Sequence, residues 1–402
     1  MGVDAPTRAT FSAQAAPAIG EWLLSLAHVD DGGPSFTKAL AERLRAAGLP
    51  LWRLSLALLT KHPELLWRTV QWHETEGVKV FERQHVTAQE PFYTDSPVAR
   101  LVAGAPPIHV PLEQGVPPYP ICRDLQQQGG TAYYAQGLRF SNGQVSYVSW
   151  ATRAPGGFDA KAIAGLDAIA PALARRIELE SAYHATRALL GVYLGQNAAR
   201  RVLTGAFKRG EGELIPAAIW FCDLRGFTSL SDQAAPRQVV EVLDAYFDRV
   251  AGAVTAHGGE VLKFIGDAIL AIFPLSPTGE AAAAACRNAR SAAEEALAAL
   301  AALNRVRALA APLAIGVALH LGDVMYGNIG SRERLDFTVI SAAVNETCRL
   351  ESLCKPLGTA LTMSETFVGA LGADDVVDLG VHALKGVSTP LRGFTLAAFR
   401  PA

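Results

Sequence analysis

Two aspartates in the second half of this chain could together bind divalent cations. Asp223 ends the apolar run 217–222, and Asp267 lies in a second apolar segment, residues 258–274. The β-branched and aromatic residues on both sides of Asp267 predict a hairpin with an acid at its tip. Either aspartate alone would more often be a turn residue or a helix cap. As a pair, beside a turn (224–229) whose N–H groups suit phosphate, they indicate two-metal chemistry on a nucleotide.

Length and composition limit the domain count and the classes of function. The chain has 402 residues, 50% hydrophobic and 18% charged, with a formal net charge of −2. This favours two domains with full-sized cores. The sequence has no basic block for nucleic acid, no membrane-spanning apolar run and no signal peptide, so we expect a cytoplasmic protein. Five cysteines without C-x-x-C spacing are expected to be reduced thiols.

The N-terminal half predicts an antiparallel sheet between helices. We expect the following elements: helices at 19–26, 36–47 and 121–128, strands at 51–60, 65–73, 78–84, 131–140 and 144–153, and a long helix from about 159. This order resembles GAF or PAS sensor domains over residues 18–185, and GAF domains more closely. The resemblance implies a pocket for a small ligand of unknown identity and effect. Candidate pocket residues, each of which could instead be core, are Trp72, His73, His109, Cys122, Tyr133, Tyr134 and Trp150.

A helical connector, residues 186–210, separates the two halves. Glycines at 191 and 195 predict an interruption of the long helix over 191–195, and a short helix follows at 197–203. The apolar stripe before this interruption is too short to establish a coiled coil.

The C-terminal half, residues 211–402, predicts an α+β domain. The expected core is a strand (217–223), a helix (236–256), a hairpin (259–273), a helix (279–309) and a strand (313–320), with a further strand at 335–340 and a helix at 342–353. A β-α-β-β-α-β order is the ferredoxin-like arrangement, which brings the end of the first strand close to the tip of the central hairpin. We therefore expect Asp223 and Asp267 to lie near each other.

Four ordered stretches in this half resemble the class III nucleotide cyclase catalytic domain. They are Trp-Phe-Cys-Asp-Leu-Arg-Gly-Phe-Thr (220–228), Gly-Gly-Glu-Val-Leu-Lys-Phe-Ile-Gly-Asp (258–267), Leu-His-Leu-Gly-Asp-Val-Met-Tyr-Gly-Asn-Ile-Gly (319–330), and the stretch 336–350 with its Val-Asn and Arg-Leu. The resemblance implies an adenylate cyclase that converts ATP to cyclic AMP and pyrophosphate. It also implies two Mg²⁺ or Mn²⁺ ions per site, bound by Asp223, Asp267 and the backbone carbonyl of Leu224.

The same resemblance implies substrate contacts residue by residue. Lys263 and Thr338 would select the purine, and a lysine at the first position favours ATP over GTP. Asn345 and Arg349 would stabilise the transition state. Contacts to the phosphates are implied for Lys385, Phe227 and Thr228.

In this family the metal aspartates and the purine-selecting residues of one site come from different subunits, which implies a homodimer with two equivalent sites. Ser341-Ala342-Ala343 departs from the family pattern and leaves the basal activity open. Guanylate cyclase and a catalytically silent nucleotide-binding or dimerisation module remain as alternatives. Bicarbonate sensitivity is also open.

Overall fold

The structure, a computed structural model, divides into two compact units, Met1–Val192 and Tyr193–Ala402. It describes residues 11, 15–25, 33–59, 65–84, 91–205, 208, 210–227, 231–232, 234–275, 281–306, 312–387 and 389–400. Each unit has its own sheet, and the two are described separately below. None of the helices within the described ranges is long and apolar enough to cross a membrane.

The N-terminal unit contains a six-stranded antiparallel sheet, as its sequence predicts. The strands are β1 (Arg53–Leu59), β2 (Leu65–His73), β3 (Gly77–Gln84), β4 (Ile108–Pro111), β5 (Ala132–Arg139) and β6 (Val145–Thr152), in the order β3-β2-β1-β6-β5-β4. The helices are α1 (Ala16–Ser25), α2 (Pro34–Ala46), α3 (Pro91–Thr94), α4 (Pro97–Val102), α5 (Pro120–Gln127) and α6 (Ala160–Leu194). The strand and helix order matches the expected one, with three short elements in the proline-rich stretch before α5.

The two faces of this sheet bury different residues. Because side chains alternate along a strand, Leu54 and Leu56 of β1 join a core with α1, α2 and α6, while Ala57 faces a second cluster with α4 and α5. The candidate pocket residues divide between these faces. Trp72, Tyr134 and Trp150 pack in the first core, and Cys122 and Tyr133 lie in the second cluster. His73 is buried with its ring 5.2 Å from Trp52, and the ring of His109 lies 6.1 Å from Tyr134.

The predicted helix interruption over 191–195 is wrong for residues 191–194, and only Gly195 interrupts the helix. Helix α6 continues through Gly191 to Leu194 and ends only at Gly195, whose φ of 86° lies in the left-handed region. A single glycine inside a helix costs only about 1 kcal/mol relative to alanine. Gly191 can therefore be accommodated by a helix that continues on both sides, whereas the backbone conformation at Gly195 ends it.

The C-terminal unit contains an eight-stranded sheet. Its strands are β7 (Gly212–Leu224), β8 (Glu260–Ile265), β9 (Ala268–Pro274), β10 (Ile315–Gly330), β11 (Leu335–Ile340), β12 (Leu361–Ser364), β13 (Val376–His382) and β14 (Leu391–Leu396). Its helices are α7 (Gln196–Leu203), α8 (Pro236–Ala256), α9 (Ala281–Val306), α10 (Ala342–Glu351) and α11 (Glu365–Leu371), and a 3-10 turn spans Ala397–Phe399. The strand order is β13-β14-β12-β10-β7-β9-β8, with β11 paired to β10. The β10-β7-β9-β8 centre, linked through α8 and α9, confirms the predicted β-α-β-β-α-β core.

Strand β10 is longer than the expected 313–320 and continues through Gly322-Asp323. It pairs antiparallel with β7 from Ile315 opposite Leu224 to Gly327 opposite Gly212. A Cβ atom at Gly322 would lie 2.6 Å from the Cβ of Ala343 in α10. Gly322 therefore lets α10 pack closely against the strand, and the strand does not end there.

Each face of this second sheet has its own core. Along β7, Ala218, Trp220 and Cys222 face a cluster that includes residues of α8, α9 and α11. Ile219 and Phe221 face a second cluster that includes residues of α7 and α10. This packing on both faces fixes the end of β7, where Asp223 lies.

Candidate active site

The two predicted metal-binding aspartates contact each other. Asp223 is the penultimate residue of β7, and Asp267 forms the tip of the β8–β9 hairpin. Burial, the charge of Asp267 and a hydrogen bond between the two side chains raise the pKa of Asp223, whereas the Leu224 N–H lowers it. Two carboxylates this close oppose each other's ionisation. A divalent cation between them would relieve that opposition.

The donor set fits Mg²⁺ or Mn²⁺. Carboxylate and carbonyl oxygens are the ligands these hard cations prefer, and Mg²⁺ usually takes only one or two carboxylates from the protein. Within the described part of the chain, no three His, Cys, Asp or Glu side chains group so that they could hold a metal ion. A cation held by Asp223 and Asp267 alone would have coordination positions open to other oxygen ligands.

A buried tyrosine that the sequence analysis did not identify holds the hairpin tip. The Tyr246 hydroxyl, from α8, donates a 3.1 Å hydrogen bond to the backbone carbonyl of Asp267 and lies 3.3 Å from the Cys222 sulfur. Tyr246 is fully buried. It therefore links α8, β7 and the hairpin at the point where the two aspartates meet. Its position on the apolar face of a predicted helix was the only sequence signal for it.

With the cyclase activity that the sequence resemblance implies, we expect Tyr246→Phe to lower kcat several-fold. It should also destabilise the fold by about 1 kcal/mol, the usual contribution of one hydrogen bond. The loss of the hydroxyl frees the Asp267 carbonyl and loosens the tip that carries the carboxylate. Steady-state kinetics and thermal unfolding measure the two effects. Tyr326→Phe is the matched control, because it removes a buried 2.8 Å tyrosine hydrogen bond to Glu260. An equal fall in kcat in both variants would contradict a specific role for Tyr246.

A third carboxylate lies near the pair and was also missed from the sequence. Glu351 ends α10, and burial, followed by the charge of Asp223, raises its pKa to about 7, against an opposing effect of Arg225. A Cβ atom on Gly316, which pairs with Asp223 across the sheet, would come within 2.2 Å of a Glu351 oxygen. Because residue 316 is a glycine, there is room for the Glu351 carboxyl group beside the aspartates.

The predicted purine-selecting residues lie on β8 and β11. The Lys263 ammonium is 2.6 Å from an Asp336 carboxylate oxygen, and this contact lowers the pKa of Asp336. Thr338 lies two residues further along β11 and is buried. Asp336 is the first residue of the stretch 336–350, and the family resemblance implies no role for it. Here it fixes the position of the Lys263 side chain.

The predicted transition-state residues lie on the exposed side of α10. Asn345 and Arg349 are both exposed and one helical turn apart, while Ala343, Thr347 and Leu350 are buried. Ser341, in the stretch that departs from the family pattern, caps this helix, because its hydroxyl accepts a 3.1 Å hydrogen bond from the Val344 N–H. The serine therefore supports the start of the helix that carries Asn345.

The remaining predicted contacts are dispersed. Lys385 is exposed in the turn between β13 and β14, and Phe227 packs against the core beside β7. Thr228 lies outside the described residues. Among the described residues, no hydrogen bond or ion pair links the aspartate pair to the side chains of Lys263 or Arg349.

Comparison with known proteins identifies the C-terminal unit. Residues 213–395 match the family model described as the adenylate and guanylate cyclase catalytic domain. The matched residues make up most of this unit and a little under half of the chain. The match covers the aspartate pair, the Lys263–Asp336 pair, α10 and Lys385. The GAF resemblance of the N-terminal unit remains a prediction.

Two relatives illustrate the similarity to known cyclases. An adenylate cyclase of Anabaena cylindrica is 32% identical over 162 residues, which are 40% of this chain and 32% of that protein. Adenylate cyclase 1 of Rhizobium meliloti is 35% identical over 174 residues, which are 42% of this chain and 26% of that protein. The match therefore spans about a third or less of the length of each of these relatives.

Solved structures are also similar. A bacterial light-regulated adenylyl cyclase is 26% identical, with a TM-score of 0.48, and the match covers 56% of this chain and 65% of that chain. A guanylyl cyclase is 34% identical, with a TM-score of 0.41, and the match covers 48% of this chain and 99% of that chain.

Proposed function

We propose that this protein is an adenylate cyclase that converts ATP to 3′,5′-cyclic AMP and pyrophosphate. The observation that carries the proposal is the contact between Asp223 and Asp267 on the β-α-β-β-α-β core. Two hard-oxygen donors at the end of a strand and the tip of a hairpin suit Mg²⁺ or Mn²⁺ with a nucleotide triphosphate. The preference for ATP is carried by Lys263.

The reaction forms one bond and breaks one. The ribose 3′-oxygen bonds to the α-phosphorus, the bond from that phosphorus to the bridging oxygen breaks, pyrophosphate leaves, and the hydroxyl proton passes to solvent. Bound metal ions would withdraw electron density from the hydroxyl and neutralise the triphosphate. Asn345 would orient the ribose, Arg349 would balance charge that develops on the α-phosphate, and Lys385 would hold the terminal phosphates.

We further propose that the site forms between two copies of the chain. Asn345 and Arg349 are exposed, which suits side chains that complete a partner's site. In addition, Leu214, Met325 and Ile340 are cross-strand neighbours on β7, β10 and β11, and they are 65%, 43% and 54% exposed. A row of exposed apolar side chains on a sheet is typical of a surface that another protein covers. A two-fold dimer through this surface would contain two equivalent sites.

Asp336 offers a test of how adenine is selected. We expect Lys263→Ala to lower kcat/KM for ATP by about 10- to 100-fold and to reduce the preference for ATP over GTP, because a buried or positioned donor to the base is lost. Asp336→Asn should raise KM for ATP by no more than about 5-fold, because an ion pair with both groups over one-third exposed is worth at most about 1 kcal/mol. Both effects are measured by initial rates with each nucleotide.

The control is Asp323→Asn, an exposed aspartate of β10, which makes the same change in charge. Unchanged ATP and GTP kinetics in Lys263→Ala would contradict the assignment of purine selection. A change in kcat alone in Asp336→Asn would contradict the view that Asp336 positions the lysine for binding.

The experiment that tests the function is nucleotide turnover by the purified full chain. The protein is given ATP or GTP with Mg²⁺ or Mn²⁺, and the products are separated by chromatography. Cyclic AMP from ATP supports the proposal, and cyclic GMP as the main product replaces it with a guanylate cyclase. Nucleotide binding without any cyclic product, with either metal, indicates a catalytically silent module.

We also propose that the N-terminal unit regulates this activity. The support is the separate compact unit before residue 193, with its own sheet and cavity. A truncated chain that starts at residue 193 should then differ from the full chain in turnover per active site. Equal turnover, measured at equal dimer concentration, would contradict regulation by this unit.

A further inference from the structure

One face of the N-terminal sheet places polar side chains where a sheet interior is usually apolar. Ser55 of β1 pairs with Gln71 of β2 on one side and with Ser149 of β6 on the other, so the three side chains lie in a row. Ser55 and Ser149 are buried, with 3% and 4% exposure. Buried polar groups reduce stability unless they form hydrogen bonds, so this row indicates a role other than packing.

This row borders a cavity of about 170 Å³. Cavities of about 150 Å³ in proteins can hold a benzene-sized molecule. The apolar part of the lining includes Phe81 from β3 of the same sheet, and Val98 and Ile121 from α4 and α5. The cavity thus offers a polar floor and an apolar wall to a molecule of about that size.

Arg53 brings a positive charge to this cavity. Its guanidinium donates a 2.7 Å hydrogen bond to the Gln71 side-chain oxygen, which is a neutral partner. Among the described residues that line the cavity, Arg53 is the one charged side chain, and none is a carboxylate. Burial lowers the pKa of Arg53, opposed only by weaker effects of Tyr133, Tyr147 and Cys122. A partly buried cation whose hydrogen-bond partner is neutral is stabilised when an anion binds beside it.

Ser55 gives a second, independent indication of a ligand. Its hydroxyl is buried and lines the cavity, and within the described part of the chain it has no hydrogen-bond partner. Neighbouring hydroxyls are already paired: Thr69 lies 3.3 Å from the Tyr147 hydroxyl, and Tyr133 bonds with Ser149. Donors from Arg53 and Ser55 therefore remain for a molecule that is not part of the chain.

We propose that this cavity binds a small organic carboxylate, whose oxygens accept hydrogen bonds from Arg53 and Ser55 while its apolar body contacts Phe81, Val98 and Ile121. A planar guanidinium matches the geometry of a carboxylate. A single cation balances one negative charge, which favours a monocarboxylate over a phosphate dianion. The apolar wall favours an organic acid over an inorganic anion.

Benzoate is a suitable probe because it combines one carboxylate with a benzene ring. Isothermal titration calorimetry on the full chain compares benzoate with benzamide, its neutral analogue, and with inorganic phosphate. We expect benzoate to bind, benzamide to bind at least about tenfold more weakly, and phosphate not to bind. A tenfold difference corresponds to about 1.4 kcal/mol. Equal binding of benzoate and benzamide, binding of phosphate alone, or no binding of benzoate at millimolar concentration would overturn the proposal.

Two variants locate the site. Arg53→Gln should weaken benzoate binding at least about tenfold, and Ser55→Ala should weaken it several-fold. Arg139→Gln, at an exposed arginine of β5, is the matched control and should bind benzoate like the unmodified chain. Circular dichroism checks the fold of each variant, and Ser55→Ala should fold normally because its hydroxyl has no partner to lose. Unchanged benzoate affinity in folded Ser55→Ala and Arg53→Gln would overturn the proposal, as would an equal loss in Arg139→Gln.

Discussion

Asp267→Asn should reduce kcat for cyclic AMP formation by at least about 1,000-fold, with Asp223→Asn similar. Asparagine keeps the size of the side chain but removes one of the two negative charges that would hold the cations. Several kcal/mol of transition-state stabilisation depend on those cations, and each 1.36 kcal/mol corresponds to a factor of ten in rate. The measurement is cyclic AMP release over time with saturating ATP and Mg²⁺ or Mn²⁺.

Asp248→Asn provides the matched control for this experiment. Asp248 is exposed on α8, and its substitution makes the same change in charge within the same unit. It should retain the turnover of the unmodified chain. Full activity in Asp267→Asn or Asp223→Asn would show that the aspartate pair does not hold the catalytic metal ions. If all variants dimerise equally, the loss of turnover is due to the chemical step and not to a failure of assembly.

Mixing inactive Asp267→Ala chains with inactive Arg349→Ala chains should restore activity. If each site takes its aspartates from one copy and Arg349 from the other, a mixed dimer has one site with both substitutions and one intact site. With random pairing, half of the dimers are mixed and each has one working site of two, so recovery should reach about one quarter of normal turnover. Turnover is measured after the chains have exchanged, with subunit exchange followed by a fluorescent label.

The control mixture combines Asp223→Ala with Asp267→Ala chains. Both substitutions affect the same group of residues, so every site in a mixed dimer lacks one aspartate, and no recovery is expected. If mixed dimers form but Asp267→Ala with Arg349→Ala gives no recovery, the shared-site proposal is wrong. Full activity from either single variant alone would contradict the roles of the substituted residues.

The sequence predicted the local elements of the cyclase domain well because its signals there are short-range. Helix α8 and strand β11 have the expected bounds, and the hairpin places Asp267 at its tip. The turn at residues 266–267 and the alternating apolar residues around it are local features, so they can be recognised without knowledge of the fold. The β-α-β-β-α-β order then brought Asp223 to the same place.

Residues whose roles depend on contacts distant in sequence were missed. Tyr246 reaches Asp267 from another element, and Glu351 depends on the space left by Gly316. Neither has a sequence pattern that distinguishes it from an ordinary helix residue. The length of β10 was underestimated for a related reason, since pairing with β7 overrides the local signal of Gly322.

The sequence pattern also could not show which residues lie on each face of the N-terminal sheet. Alternation relates side chains along one strand, so it does not show whether Trp72, Tyr134 and Trp150, on three strands, share a face or which face the helices cover. The structure places them in the helix-covered core. The polar residues Arg53 and Ser55 alternate with buried leucines, and only the fold shows that they surround a cavity.

The contact between Asp223 and Asp267 also implies a conflict between activity and folding. Because the pKa of Asp223 is raised in the folded chain, the metal-free fold loses stability as pH rises above the ordinary aspartate value of about 4. Asp223→Asn should therefore unfold at a higher temperature than the unmodified chain in a chelator at neutral pH, and this difference should vanish below about pH 4. Divalent cations should raise the unfolding temperature of the unmodified chain but not of the variant. Selection for stability alone would then favour loss of this pair, so under the proposed function the two carboxylates are retained at a cost in stability.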